Sequence, residues 1–399
     1  MKISGALKHL IGMALFATGM AVSTVATADT IKVGVLGSFS GPYAPWGVQF
    51  RNALDLYQEQ HKSKASGHDV ELVYRDVGGN EPARAKQLAQ ELVVRDGVQY
   101  IIGLEFTPTI LAVADIATEA EVPTINLNSG TSSVTRASQF LTRTGFTQWQ
   151  VAAPAGEYAF DQGKKTAVIV SADYAPGKDA LDSFRYGFEK KGGKILQEIK
   201  VPLGTTDFST YLLRLQEAKP DVALVFMPVG PMSVGFLKAY VDRGLLKAGI
   251  DVYVGAEAQE TDLPALGDAA VGIHSVFTYS PYQDNPENKA FVEALTKKYG
   301  AKGLPNLATV AAYDGLALVY HMIDATKGQK DGKAAMESIK GLTIQSPRGP
   351  ITIDAKTRDI IQNVYLRVVE KRADGMLVNK TLATQQAVKD PWKELNPAK

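Results

Sequence analysis

An α/β fold in two lobes is predicted by three features of the 399-residue chain. From Ile31 onward, short β-branched runs alternate with amphipathic helical stretches, the pattern of a parallel sheet covered by helices on both faces. The same array begins again after Arg143-Thr144-Gly145. The length, 371 residues once a leader of 28 is set aside, exceeds what one hydrophobic core of ordinary size holds.

The leader reads as a cleaved export signal. Lys2 and Lys8 give a basic start, Leu10 to Val25 is apolar or small, and Ala26-Thr27-Ala28 precedes Asp29 with small residues at the positions a signal peptidase inspects. The apolar stretch is shorter than the roughly 20 residues of a spanning helix and is broken by Gly12 and Gly19. Cleavage after Ala28 and a periplasmic mature chain are therefore expected.

In the first array the expected strands are Ile31 to Leu36, Val70 to Tyr74, Tyr100 to Leu104 and Pro123 to Leu127. Trp46 to Gln60, Pro82 to Arg95 and Pro108 to Ala120 read as helices, the last two with proline at the first position, where a missing N–H costs nothing. The second array offers strands near Thr166 to Val170, Lys194 to Val201, Asp221 to Met227 and Asp251 to Gly255, with helices such as Lys178 to Lys191 and Met232 to Asp242. Two further helices, Pro286 to Tyr299 and Leu307 to Ala325, precede a hairpin-like end at Ile351 to Ile353 and Val364 to Val369. Strands that late must rejoin an existing sheet, so the chain is expected to cross between lobes more than once, through a multi-strand hinge. The expected division is residues 29–145 plus 279–346 for the N-terminal lobe and 146–278 plus 347–399 for the C-terminal lobe.

Composition narrows the function. The chain has 43 Lys plus Arg against 42 Asp plus Glu; loss of Lys2 and Lys8 leaves 41 against 42. Near-neutrality gives no reason to expect nucleic acid or an anionic membrane as partner. There is no cysteine, which excludes disulfides, thiolate nucleophiles, cysteine-ligated metals and the usual acceptor for a lipid anchor. His61, His68, His274 and His321 are scattered outside any metal-ligand spacing, and no Gly-x-Ser-x-Gly elbow or phosphate loop is present. No cofactor, metal or catalytic residue is expected, and His274 reads as a hydrogen-bonded core histidine.

A parallel sheet presents ligands at the carboxyl ends of its strands, so the turns there are the candidate site. Trp46 follows the first strand and either covers a ligand or packs between strand and helix. Thr107 stands before Pro108 as an expected N-cap, and Ser129-Gly130-Thr131 forms a second hydroxyl-rich turn; both either seat an anion at a helix N-terminus or cap their own helices. In the second array Tyr174 follows a strand, and Glu257 follows Asp251 to Gly255, as a solvated carboxylate or as the partner of a ligand ammonium.

The stretches IKVGVLGSFSGPYAPWG, IIGLEFTPTILAVADIATEAEVPTINLNSGTSSVT, SADYAPGKDALDSF, GAEAQ and RGPITID…NVYLRV, in this order, make the chain resemble the type I periplasmic binding proteins of ABC importers, in the branched-chain amino-acid (Leu/Ile/Val) group. The resemblance implies two Rossmann-like lobes with parallel sheets joined by a three-strand hinge, a ligand in the cleft between them, and a membrane permease as partner. It makes Trp46 the aromatic cover, Thr107 with Ser129, Gly130 and Thr131 the cradle for an α-carboxylate, Tyr174 the tyrosine of the second lobe's first turn, and Glu257 the receiver of an α-ammonium. Val229 stands where the family often has an aromatic residue, and Phe106 where it has a small or hydroxyl one. The implied function is capture of a branched-chain or related amino acid by lobe closure. The alternative is capture of an aromatic carboxylate, benzoate-like or phenylpropanoid, since relatives with similar FTP and TSSVT turns import such acids. A secreted hydrolase is the less favoured third reading.

Overall fold

A computed structural model describes residues 29–397, so the leader and its expected cleavage point lie outside the described residues. The first sheet is built from β1 (Ile31–Gly37), β2 (Lys64–Ala65), β3 (His68–Asp76), β4 (Tyr100–Gly103), β5 (Thr124–Asn126) and β6 (Leu141–Arg143), in the order β2-β3-β1-β4-β5-β6. All neighbours are parallel except β2, which pairs antiparallel with β3. Gly103 ends β4 at φ 134°, where a Cβ would lie 1.9 Å from the Leu36 carbonyl oxygen; the sharp exit that delivers residues 105 and 106 to the cleft needs glycine.

The second sheet comprises β7 (Thr166–Ala172), β8 (Lys194–Val201), β9 (Val222–Phe226), β10 (Asp251–Val254), β11 (His274–Phe277), β12 (Thr343–Ser346), β13 (Gly349–Ile353), β14 (Ile360–Lys371) and β15 (Leu377–Val388). Its order is β12-β13-β14-β11-β10-β9-β7-β8, with β15 also on β14. Strands β7 to β11 are parallel, while β14 runs antiparallel to β11, β13 and β15. The expectation of parallel sheets is thus corrected to a mixed second sheet: the returning strands arrive by hairpins, which enforce antiparallel pairing. β12 lies on the first-lobe side of the division at residue 346, yet it is hydrogen-bonded to β13 and belongs to the second sheet.

Helices Pro286–Tyr299 and Leu307–Thr326 return to the first lobe, and the second is buried along its length against β1, β4 and β5. The chain therefore passes between lobes three times: after β6, after β11 and before β12. Arg348 ties the crossings together, reaching Asp314 with Nε (3.0 Å) and the Thr144 carbonyl with Nη2 (2.6 Å). Helix Gln148–Asp161, just past the first crossing, starts with a capping box in which Thr147 and Gln150 satisfy each other's backbone N–H groups. No helix of the described residues is long and apolar enough to cross a membrane.

Candidate functional site

Strand ends from both sheets meet at one cleft. The first lobe contributes Trp46, Glu105, Phe106, Asn128 and Gly130, the crossing after β6 contributes Phe146, and the second lobe contributes Tyr174, Phe226, Val229 and Glu257. Of the residues singled out from the sequence, Trp46, Phe106, Gly130, Tyr174, Val229 and Glu257 are brought together here. Trp46 packs edge-on against Phe50 and points its Nε1–H across the cleft at the Val229 carbonyl, a long 3.4 Å contact between lobes. Tyr174 stacks on Phe226 with ring centres 6.0 Å apart, and Tyr43 meets Phe106 edge-on at 4.9 Å. Burial raises the Tyr174 phenol above its ordinary value, with the nearby Tyr43 and Glu257 adding to the effect.

Thr107, Ser129 and Thr131 do not line the cleft, which corrects the expectation that their hydroxyls form its cradle. Phe106 rather than Thr107 is the N-cap, with no side-chain cap bond; Thr107 Oγ1 donates to Thr131 Oγ1 at 3.0 Å inside the lobe. Ser129 Oγ donates to Asn126 Oδ1 at 2.8 Å, and the same oxygen accepts the N–H groups of Asn128 and Ser129. A buried hydroxyl needs a partner, and at these positions the lobe interior supplies one. Arg143, fully buried, grips the turn from behind: Nη1 donates to the Ser129 and Phe146 carbonyls (2.7 Å each), Nη2 to that of Thr131 (2.8 Å). Its Nε is paired with Asp359 at 2.6 Å, and Lys393 sits 3.0 Å from the other oxygen of that carboxylate. The backbone N–H groups of Gly130 and Thr131 have no intramolecular acceptor among the described residues.

Glu257 is only 1% exposed, neither solvated nor paired with a cation among the described residues. Oε1 accepts the Met227 N–H (3.1 Å) and Oε2 the Gly255 N–H (2.7 Å). Burial raises its carboxyl to about 7 despite these backbone donors. Glu105, which sequence reasoning passed over, is the second buried carboxyl of the cleft: Oε1 accepts the Ser38 N–H at 2.6 Å, and burial again raises it to about 7. Among the described residues no lysine or arginine lines the cleft. Phe146 and Phe226 were also missed, and only the strand-end rule could have pointed to them. His274 lies in β11, stacked on Tyr253 (4.7 Å) and away from the cleft. Its Nδ1 is buried with no hydrogen-bond partner among the described residues, unlike the hydrogen-bonded histidine expected, and burial lowers its basicity.

The pattern of the family described as periplasmic binding protein matches residues 30–375. The chain is 44% identical over 370 residues to a Leu/Ile/Val-binding protein homolog 6 of Brucella melitensis, covering 92% of this chain and 95% of that one. A solute-binding protein of an ABC transporter from Rhodopseudomonas palustris HaA2, in complex with p-hydroxybenzoic acid, superposes with TM-score 0.89 at 44% identity, over 91% of this chain and 98% of that one. Its counterpart from R. palustris BisB5, in complex with 3,4-dihydroxybenzoic acid, gives 0.87 at 41% identity, over 91% and 99%. With two lobes, a shared cleft and these likenesses, the chain belongs to the type I periplasmic binding proteins of the Leu/Ile/Val-binding family, extracytoplasmic ligand-binding components of ABC-type transporters with no catalytic role.

Proposed function

We propose that this protein captures a hydroxylated aromatic carboxylate of the benzoate class in the periplasm, after cleavage at Ala28, and delivers it unaltered to an ABC permease. The observation that carries this reading is the ligand of the two R. palustris structures, each more than 40% identical to this chain over nine-tenths of its length. The cleft chemistry agrees. Flat faces from Trp46, Phe106, Phe146, Tyr174 and Phe226 suit an aromatic ring, and Val229 leaves room beside it. The ligand carboxylate is received by the N–H of Gly130, whose turn is held in place from behind by Thr107, Ser129, Thr131 and Arg143. A ring hydroxyl, as donor, meets one of the cleft's two carboxyl groups.

Binding proceeds by closure. A ligand touching both walls stabilises the closed form only to the extent that it binds that form better than the open one. Bonds already span the lobes beside the cleft, among them Trp46 Nε1–H to the Val229 carbonyl and the Ser132 N–H to Asp179 Oδ2 at 2.8 Å. The second reading, a branched-chain or related amino acid, is favoured by the description of the Brucella relative and gives Glu257 an ammonium to receive. Thermal unfolding of refolded, ligand-free protein separates the two, since a ligand at a hundredfold excess over its Kd adds about 2.7 kcal/mol of stability. A rise in Tm with 4-hydroxybenzoate and none with leucine, isoleucine or valine is expected; the reverse pattern establishes the amino-acid reading instead.

A further inference from the structure

The two cleft carboxyls differ in what they leave unsatisfied. Both oxygens of Glu257 accept backbone N–H groups. Glu105, 3% exposed, has only Oε1 engaged, by the Ser38 N–H; Oε2 is buried without a partner among the described residues, and so is the Ser38 hydroxyl beside it. A buried carboxyl oxygen with no donor is costly; Asn128 Nδ2 is committed to the Glu105 backbone carbonyl at 2.9 Å, which leaves the Ser38 hydroxyl as the neighbouring donor with which a ligand hydroxyl would share the lone pairs of Oε2. The Ser38 N–H holds one oxygen of the carboxyl and leaves the other free, whichever of the two equivalent oxygens it takes.

We infer that Glu105, rather than Glu257, is the specificity-determining group of this cleft, its bare oxygen accepting a hydrogen bond from a ring hydroxyl of the aromatic acid. This rests on the aromatic-acid reading and deepens it: the ligand must carry a donor on the edge of its ring that faces the first lobe. An unsubstituted benzoate brings Oε2 no donor, and a second carboxylate at that edge meets like charge wherever Glu105 is ionised. A site built to accept a hydroxyl rejects the analogue that lacks it, because its own polar group is stranded. The raised affinity of Glu105 for a proton fits a carboxyl kept dry until a donor arrives.

The test is titration calorimetry of ligand-free protein with 4-hydroxybenzoate, 4-methoxybenzoate and benzoate, on the unmodified chain and on Glu105→Gln. The glutamine keeps its carbonyl toward the Ser38 N–H and turns an NH2 donor toward the ligand. Unmodified protein is expected to bind 4-hydroxybenzoate about ten- to a hundredfold more tightly than the methoxy and unsubstituted acids, the range of a hydrogen bond to a charged group. In Glu105→Gln that preference collapses to within about threefold of unity. If the unmodified protein binds all three acids equally, or if the variant keeps the full preference, the inference is overturned while the aromatic-acid reading stands. If no aromatic acid binds the unmodified protein, the reading itself fails and the inference with it. The ligand series on unmodified protein decides the matter even where the variant does not fold.

Discussion

On the first-lobe wall of the cleft, the turn around Gly130 is shaped by side chains, with Asn126 inside it and Arg143 behind it. On the second-lobe wall, Glu257 is held by main-chain donors alone, the amides of Met227 and Gly255. The first wall is therefore coupled to the rest of the molecule: Arg143 leads to Asp359 near the interlobe crossings, and Asp359 to Lys393 in the last helix. The second wall is local. Changes behind the first wall should cost stability as well as affinity, whereas changes at Glu257 should act on charge and binding with the fold retained.

The largest break in this comparison is Arg143→Met. It takes from Asp359 one of its two cations, leaving Lys393, and takes the guanidinium donors from three carbonyls, of which that of Ser129 keeps Asn126 Nδ2, so unfolding in urea should show a loss of about 3–5 kcal/mol, the cost of removing one partner of a buried ion pair. A loss below about 1 kcal/mol would mean that the turn supports itself.

Next comes pH. The native carboxyl of Glu257 is raised to about 7 from an ordinary 4.5, so between those values the native state holds more protons than the unfolded chain. Its contribution to stability is fully present below about pH 4.5 and is lost as pH rises through 7, on the order of 3 kcal/mol in all. Glu105 carries the same shift, so Glu257→Gln should remove about half of the slope the two carboxyls share, measured as the difference in urea midpoints at pH 5 and pH 8. An unaltered slope would place the titration elsewhere.

Trp46→Ala should weaken 4-hydroxybenzoate binding by about ten- to a hundredfold, through loss of the ring face and of the contact with Val229. Calorimetry reads this directly, and an affinity within twofold of the unmodified protein would relegate Trp46 to packing. The smallest effect belongs to Thr131→Val, which removes the acceptor of the Thr107 hydroxyl behind the first wall. It should cost about 1 kcal/mol in stability, with the ligand preference intact.

The sequence made the strand ends legible because parallel β-strands announce themselves as β-branched runs, and the residues after them must face one end of the sheet. That logic located Trp46, Gly130, Tyr174 and Glu257, while Phe106 and Val229 came from the family resemblance. It failed where orientation or distant partners decide. Nothing local says whether a hydroxyl at 107, 129 or 131 turns toward a cleft or toward Asn126 and a facing threonine. Glu105 was passed over because the group that holds its carboxyl, the Ser38 amide, lies 67 residues earlier in the chain. Strand β6 escaped notice because it is three residues long and ends in a buried arginine, and β15 because its outward face is polar and only pairing with β14 makes it a strand.

The central claim, that the cleft closes on a flat hydroxylated acid, is tested most directly by calorimetric titration of refolded, ligand-free protein with 4-hydroxybenzoate and, separately, with leucine. Saturable one-to-one binding of the aromatic acid, with no heat beyond dilution for leucine, is the predicted result. Saturable leucine binding with no response to 4-hydroxybenzoate would contradict it.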